Sequence, residues 1–88
     1  MFGGEEQLVK LRIDNSLAGV VIDRFGKDIS IIPSDEKHFI INVKVAVSEQ
    51  FFGWIFALGD GVRILGHDRV LEQMREKIKK AGESYNII

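Results

Sequence analysis

Apolar residues fall at every second position between Leu8 and Asp14. Val9, Leu11 and Ile13 share one side, and Lys10, Arg12 and Asp14 share the other, the period of a strand with one buried face. The alternation returns over Phe39 to Val47, where Phe39, Ile41, Val43, Val45 and Val47 oppose Ile40, Asn42, Lys44 and Ala46. Between these strands Leu17, Val21 and Phe25 fall on one helical face with Ala18 and Ile22. Asp14, Asn15 or Ser16 can each cap that helix and Gly26 is placed to close it, although the β-branched Val20, Val21 and Ile22 are weaker helix formers. Ile29 to Ile32 reads as a short strand ended by Pro33, and Ser34-Asp35-Glu36-Lys37 as a polar hairpin loop. Ser48 offers a hydroxyl to the free amides of a helix carrying Phe51 to Leu58, Gly59 supplies a left-handed stop, and Val62 to Leu65 is a further strand. After a turn and cap at Gly66-His67-Asp68, Val70, Leu71, Met74, Ile78, Ala81 and Tyr85 occupy one apolar arc of an amphipathic helix, whose last turn Gly82 weakens.

The order strand, helix, strand, strand, helix, strand spells βαββαβ, the split pattern of α+β ferredoxin-like folds, with an extra C-terminal helix. Two helices then cover one face of a four-stranded antiparallel sheet. The strands at Leu8–Asp14 and Phe39–Val47 are expected to form its central pair, flanked by Val62–Leu65 and Ile29–Ile32 respectively. Residues 1–6 have the composition of a linker remnant, and 7–88 read as a single domain. A chain of 88 residues supports one core and buries only about 60–65% of its unfolded surface, which leaves little room for a large enclosed catalytic cavity.

Two surfaces remain after the core is assigned. The sheet face turned away from the helices carries Lys10, Arg12, Lys44 and Arg63, mixed with Asn42 and aliphatic residues, and only Asp14 brings a carboxylate to its edge. Such a face is at minimum a solvated one that discourages aggregation; it also has the chemistry to bind a small anionic effector, a nucleic-acid backbone or an acidic protein surface. The helix after Ser48 is apolar over about 200°, with Trp54 on one shoulder and Phe52 and Phe56 on the other, where ~100° suffices for a core-facing helix. Two covers are open for these shoulders: the chain's own last helix and tail, with Tyr85, Ile87 and Ile88, or a second protein surface.

Composition narrows the role. With 12 basic and 13 acidic residues the net charge is -1, so no global field draws in nucleic acid or an anionic membrane. The chain has no cysteine, which excludes disulfides and thiolate zinc sites and suits a cytoplasmic setting. Its apolar runs fall short of the ~18 residues of a membrane span. His38 and His67 lack further ligands at metal spacing, no serine sits in a nucleophile elbow, and Gly59-Asp60-Gly61 is a turn and not a phosphate loop. No nucleophile, base and orienting group come together, so no metal or cofactor is implied and the chain reads as non-enzymatic. Asp23-Arg24 at the end of the first helix is suited to a surface ion pair or a partner contact.

Taken together, VKLRIDNSLAGVVIDRFGKDISIIP, HFIINVKVAVSEQFFGWIFALGDGVRIL and the closing helix to Tyr85 resemble the C-terminal extension (WCX region) that follows the WYL domain in bacterial helix-turn-helix transcriptional regulators. Ile22-Asp23-Arg24-Phe25-Gly26 and Ser48 through Gly59 carry most of the likeness, which covers about Gly3 to Tyr85. The resemblance implies a ferredoxin-like regulatory domain that takes part in dimerisation and relays a signal between a WYL neighbour and a DNA-binding part. Its implied partners are those two domains and a second protomer. It implies no catalytic residue, and neither the helix-turn-helix nor the WYL motif occurs in this stretch. One departure is Gly66-His67, where the family pattern leads one to expect proline. The interface residues expected on this basis are Phe52, Trp54, Phe56 and Tyr85; a small effector or nucleic acid is the alternative partner, held by Lys10, Arg12, Lys44 and Arg63.

Overall fold

The sheet assembles around its first strand. In the structure, a computed structural model describing residues 6–87, β1 (Glu6–Asp14) pairs antiparallel with β3 (His38–Ala46) along its whole length and with β4 (Val62–Gly66) on its other edge. The short β2 (Ile31–Pro33) lies outside β3, giving the order β2-β3-β1-β4. This is the order expected of a ferredoxin-like chain. Three helices complete the α+β fold: α1 (Ala18–Phe25), α2 (Glu49–Ala57) and α3 (Asp68–Ser84).

Alternation decides which face is buried. Val9, Leu11 and Ile13 of β1, Phe39, Ile41, Val43 and Val45 of β3, and Val62 and Ile64 of β4 pack with Val21 of α1, with Phe51, Phe52 and Ile55 of α2, and with Val70 and Met74 of α3. Each such side chain contributes about 1.5–3 kcal/mol by leaving water. The helix starts and stops follow local chemistry. The Ser48 hydroxyl accepts the Phe51 N–H at 3.3 Å, and Gly59 takes φ +58° just beyond α2. The Asp14 carboxylate accepts the Ser16 N–H at 2.9 Å and its hydroxyl at 2.8 Å, bonds that hold its carboxyl below the usual range. Asn15 then donates its backbone N–H to the Lys37 carbonyl and its amide to the Glu36 carbonyl, fastening the β1–α1 turn to the β2–β3 loop. In that loop Asp35 accepts the Lys37 N–H at 2.8 Å and meets His38 Nδ1 at 2.9 Å, which lowers its pKa in turn. His67 caps α3, its Nδ1 accepting the Arg69 N–H at 3.2 Å.

Several boundaries differ from expectation for physical reasons. Glu6, assigned to a linker, opens β1 because Ala46 pairs with it; residues 1–5 of that linker lie outside the described residues. β2 starts at Ile31 instead of Ile29 and includes Pro33, opposite Phe39, which an edge strand tolerates because one side of its backbone has no partner. β4 gains a bulge: one step on β1, Lys10 to Leu11, spans Gly66 to Ile64, leaving Leu65 as the extra residue. Gly82 does not shorten α3, which continues to Ser84. The apolar arc of α3 is only half used, since Val70 and Met74 are buried while Ile78 and Tyr85 stay exposed.

The two faces of β1 predict opposite sensitivities. Leu11 is fully buried and Leu8, on the other face, is 60% exposed. In equilibrium urea unfolding Leu11→Ala is expected to lower stability by about 3 kcal/mol, and Leu8→Ala by no more than ~0.5 kcal/mol. Equal losses would contradict the assignment of faces.

Candidate functional site

The register of the sheet sorts its four open-face cations into a line. Lys44 on β3 stands opposite Leu8, and Lys10 and Arg12 follow along β1. Arg63 on β4 stands opposite Arg12. With a rise of ~3.4 Å per residue and ~4.8 Å between strands, the diagonal from Lys44 to Arg63 is about 17 Å long at the Cα level. Lys10, Lys44 and Arg63 are exposed and Arg12 is half-buried. Among the described residues no carboxylate forms an ion pair with any of them. Glu6 and Asp14 stand at the two ends of the same face of β1, so the stripe is bounded by acids but contains none. Like charges directly opposite on neighbouring strands are destabilising, and Arg12 with Arg63 are such a pair. Leu8, Ile32, Ile40 and Leu65 surround the stripe, and among the described residues the face carries no Phe, Tyr or Trp for a base to stack on, only His38 at its edge opposite Asp14.

The aromatic residues of α2 divide into covered and open ones. Phe52 is only 3% exposed: α3 lays the Lys77 ammonium 5.1 Å from its ring centroid, Lys77 also pairs with Glu49, and Phe51 meets Phe52 edge-on at 5.6 Å. Its own chain therefore supplies the cover, and Phe52 offers no surface to a second protein. Trp54 is half-buried; Phe25 meets it edge-on at 5.4 Å and the Arg24 guanidinium lies 5.1 Å from its ring centroid. Arg24, read from sequence as an ion-pair or partner residue, lies against the indole and remains exposed. Phe56 is 52% exposed and Tyr85 79% exposed. The tail does not fold back over the shoulder, since Tyr85 and Ile87 are both exposed; Ile88 lies outside the described residues.

Where α3 leaves the sheet beside β4 it opens a cleft of about 400 Å³ against the end of α2. Ile55, Val62, Ile64 and Met74 form its buried floor, Phe56 and Ile78 rise on the two helices, and Asp60, Arg63 and Arg75 stand around the mouth. Sequence periodicity placed Ile78 on a core-facing arc and did not single out Arg75. The available signal was the length of that arc, which runs about three turns past Met74, the last side chain the core absorbs.

The family model of the WCX domain matches residues 5–82, a span that includes all four strands, α1, α2 and most of α3. The chain belongs to the WCX domain family. WCX domains are regulatory domains associated with WYL proteins, a transcription-regulation context. Curated proteins give no match to the sequence. Tyr85 lies just past the matched span, whereas Phe52, Trp54, Phe56 and the four cations of the stripe lie inside it. Among the described residues of this WCX domain no group of His, Asp and Glu is arranged to hold a metal ion, and no helix is long and apolar enough to cross a membrane.

Proposed function

We propose that this WCX domain is a non-catalytic regulatory and assembly module of a WYL-type transcriptional regulator in the cytoplasm. It docks on a neighbouring WYL domain and on a second protomer, and it relays a signal between the WYL domain and the DNA-binding part. Family membership supports the setting, and one observation supports the docking: Phe56, Ile78, Tyr85 and Ile87 are large apolar side chains left open on α2, α3 and the tail. A stable interface buries about 800 Å² per partner, and an aromatic ring supplies ~150–250 Å² of it, so a few such residues form the core of one. Trp54, packed on Phe25 and Arg24, contributes by fixing α2 and by the part of its ring that remains open. A ligand event on the neighbouring domain that favours one packing of this surface over another shifts the DNA-binding parts with it.

Sedimentation equilibrium of the 88-residue chain tests the assembly. Self-association is expected, with a dissociation constant tighter than ~1 mM that Tyr85→Asp weakens at least about tenfold. A strict monomer at the highest attainable concentration, unchanged by Tyr85→Asp, would remove the homo-oligomer from the proposal.

A second role is favoured by the basic diagonal of the sheet, which presents Lys44, Lys10, Arg12 and Arg63 without a carboxylate among them. We propose it as a site for phosphate groups, carried by a nucleic-acid strand or by a small anionic effector. Engaging three or four phosphates of a thymidine oligonucleotide gives a log affinity against log salt slope of about -2 to -3, and Arg12→Gln reduces its magnitude by ~0.7. Affinity that is flat across salt rules out the strand; stabilisation by inorganic phosphate alone selects the small anion.

A further inference from the structure

The cleft beside β4 has a floor, two walls and a charged mouth, and each limits what fits. Its volume of about 400 Å³ lies within the ~300–1,000 Å³ of small-molecule sites. A two-turn helix ~10 Å across and ~11 Å long displaces about 800 Å³, so a helical segment does not fit inside. The floor of Ile55, Val62, Ile64 and Met74 belongs to the closed core and offers no polar side chain. Phe56 is 52% and Ile78 48% exposed, and they stand on different helices. An aliphatic body between them removes both from water, the condition under which burial stabilises.

The mouth sets the charge of the ligand. Arg63 has no carboxylate partner among the described residues, and Arg75 shares Glu72 at 3.2 Å on the exposed side of α3. A free guanidinium presents a planar fork that matches a carboxylate in two parallel hydrogen bonds. Asp60 stands at the same mouth and repels a doubly charged phosphate more strongly than a singly charged acid. We propose that this cleft binds a small amphiphilic carboxylate, its aliphatic body between Phe56 and Ile78 and its carboxylate on the Arg63 guanidinium. The cleft shares Phe56 and Ile78 with the docking surface and Arg63 with the basic diagonal proposed above; docking is tested separately at Tyr85, outside the cleft, and the diagonal at Lys10 and Lys44.

Titration of the full chain with octanoate, hexanoate, octanol and octylamine, followed through the backbone amide signals of β4, α2 and α3, tests the assignment. Octanoate is expected to bind at least ~5-fold tighter than octanol and about tenfold tighter than hexanoate, as the loss of two methylenes requires. Arg63→Gln brings octanoate down to the level of octanol and leaves octanol unchanged. Ile78→Asp, at an exposed position that the fold tolerates, abolishes binding of both. The proposal is overturned if octanol or octylamine binds as tightly as octanoate, or if none perturbs the cleft amides. It is equally overturned if octanoate instead moves the amides of Lys10 and Lys44, or if it fails to move the cleft amides of the Tyr85→Asp variant, in which self-association is weakened and the cleft is open to a ligand.

Discussion

Everything in this domain is arranged around the apolar side of β1. Val9, Leu11 and Ile13 are fully buried, and the strand that carries them is hydrogen-bonded on both edges, to β3 along nine residue pairs and to β4 through a bulged register. A strand so placed has two degrees of freedom removed at once. Slipping by one residue turns Lys10 and Arg12 into the core and Leu11 into water. Withdrawal exposes apolar surface on every neighbouring element. The helices need cover only this side, and they do so with Val21, Phe51, Phe52, Ile55, Val70 and Met74.

The other side follows from the same alternation. Because odd positions of β1 serve the core, even positions face outward, and here they carry Lys10 and Arg12; pairing then brings Lys44 and Arg63 into line with them. The opposed Arg12 and Arg63 detract from stability, a cost a domain of this size feels because its single core is small. The anion proposed for this face would offset it. Core and open face are thus two readings of one period, whereas the cleft and the exposed end of α3 come from a helix longer than β4, the strand it packs beside.

Strong local signals were legible in the sequence. The alternation in β1 and β3, the Ser48 cap, the glycine stops at Gly26 and Gly59 and the βαββαβ order all appear in the structure, because each rests on a short-range rule that the tertiary context reinforces. Weak local signals misled: β2 is three residues long, and its limits are set by which of its residues pair with β3 rather than by Pro33. The aromatic surplus of α2 was visible, but not its division. Whether Phe52 lies under Lys77 while Phe56 stays open depends on where α3 crosses α2, and side-chain periodicity fixes the face of a helix but not its crossing point. For the same reason the cleft, which needs Arg63 from β4 and Ile78 from α3 on one rim, shows in the linear chain only as an apolar arc of α3 longer than the core can use.

Native-state hydrogen exchange of the backbone amides tests the central role of β1 most directly. Amides of Val9 to Ile13 that bond to β3 or β4 are expected to exchange only through global unfolding and to be the slowest in the chain, with β2 and the last turn of α3 opening at much lower free energy. Fast exchange in β1 beside protected amides in α3 would contradict the account.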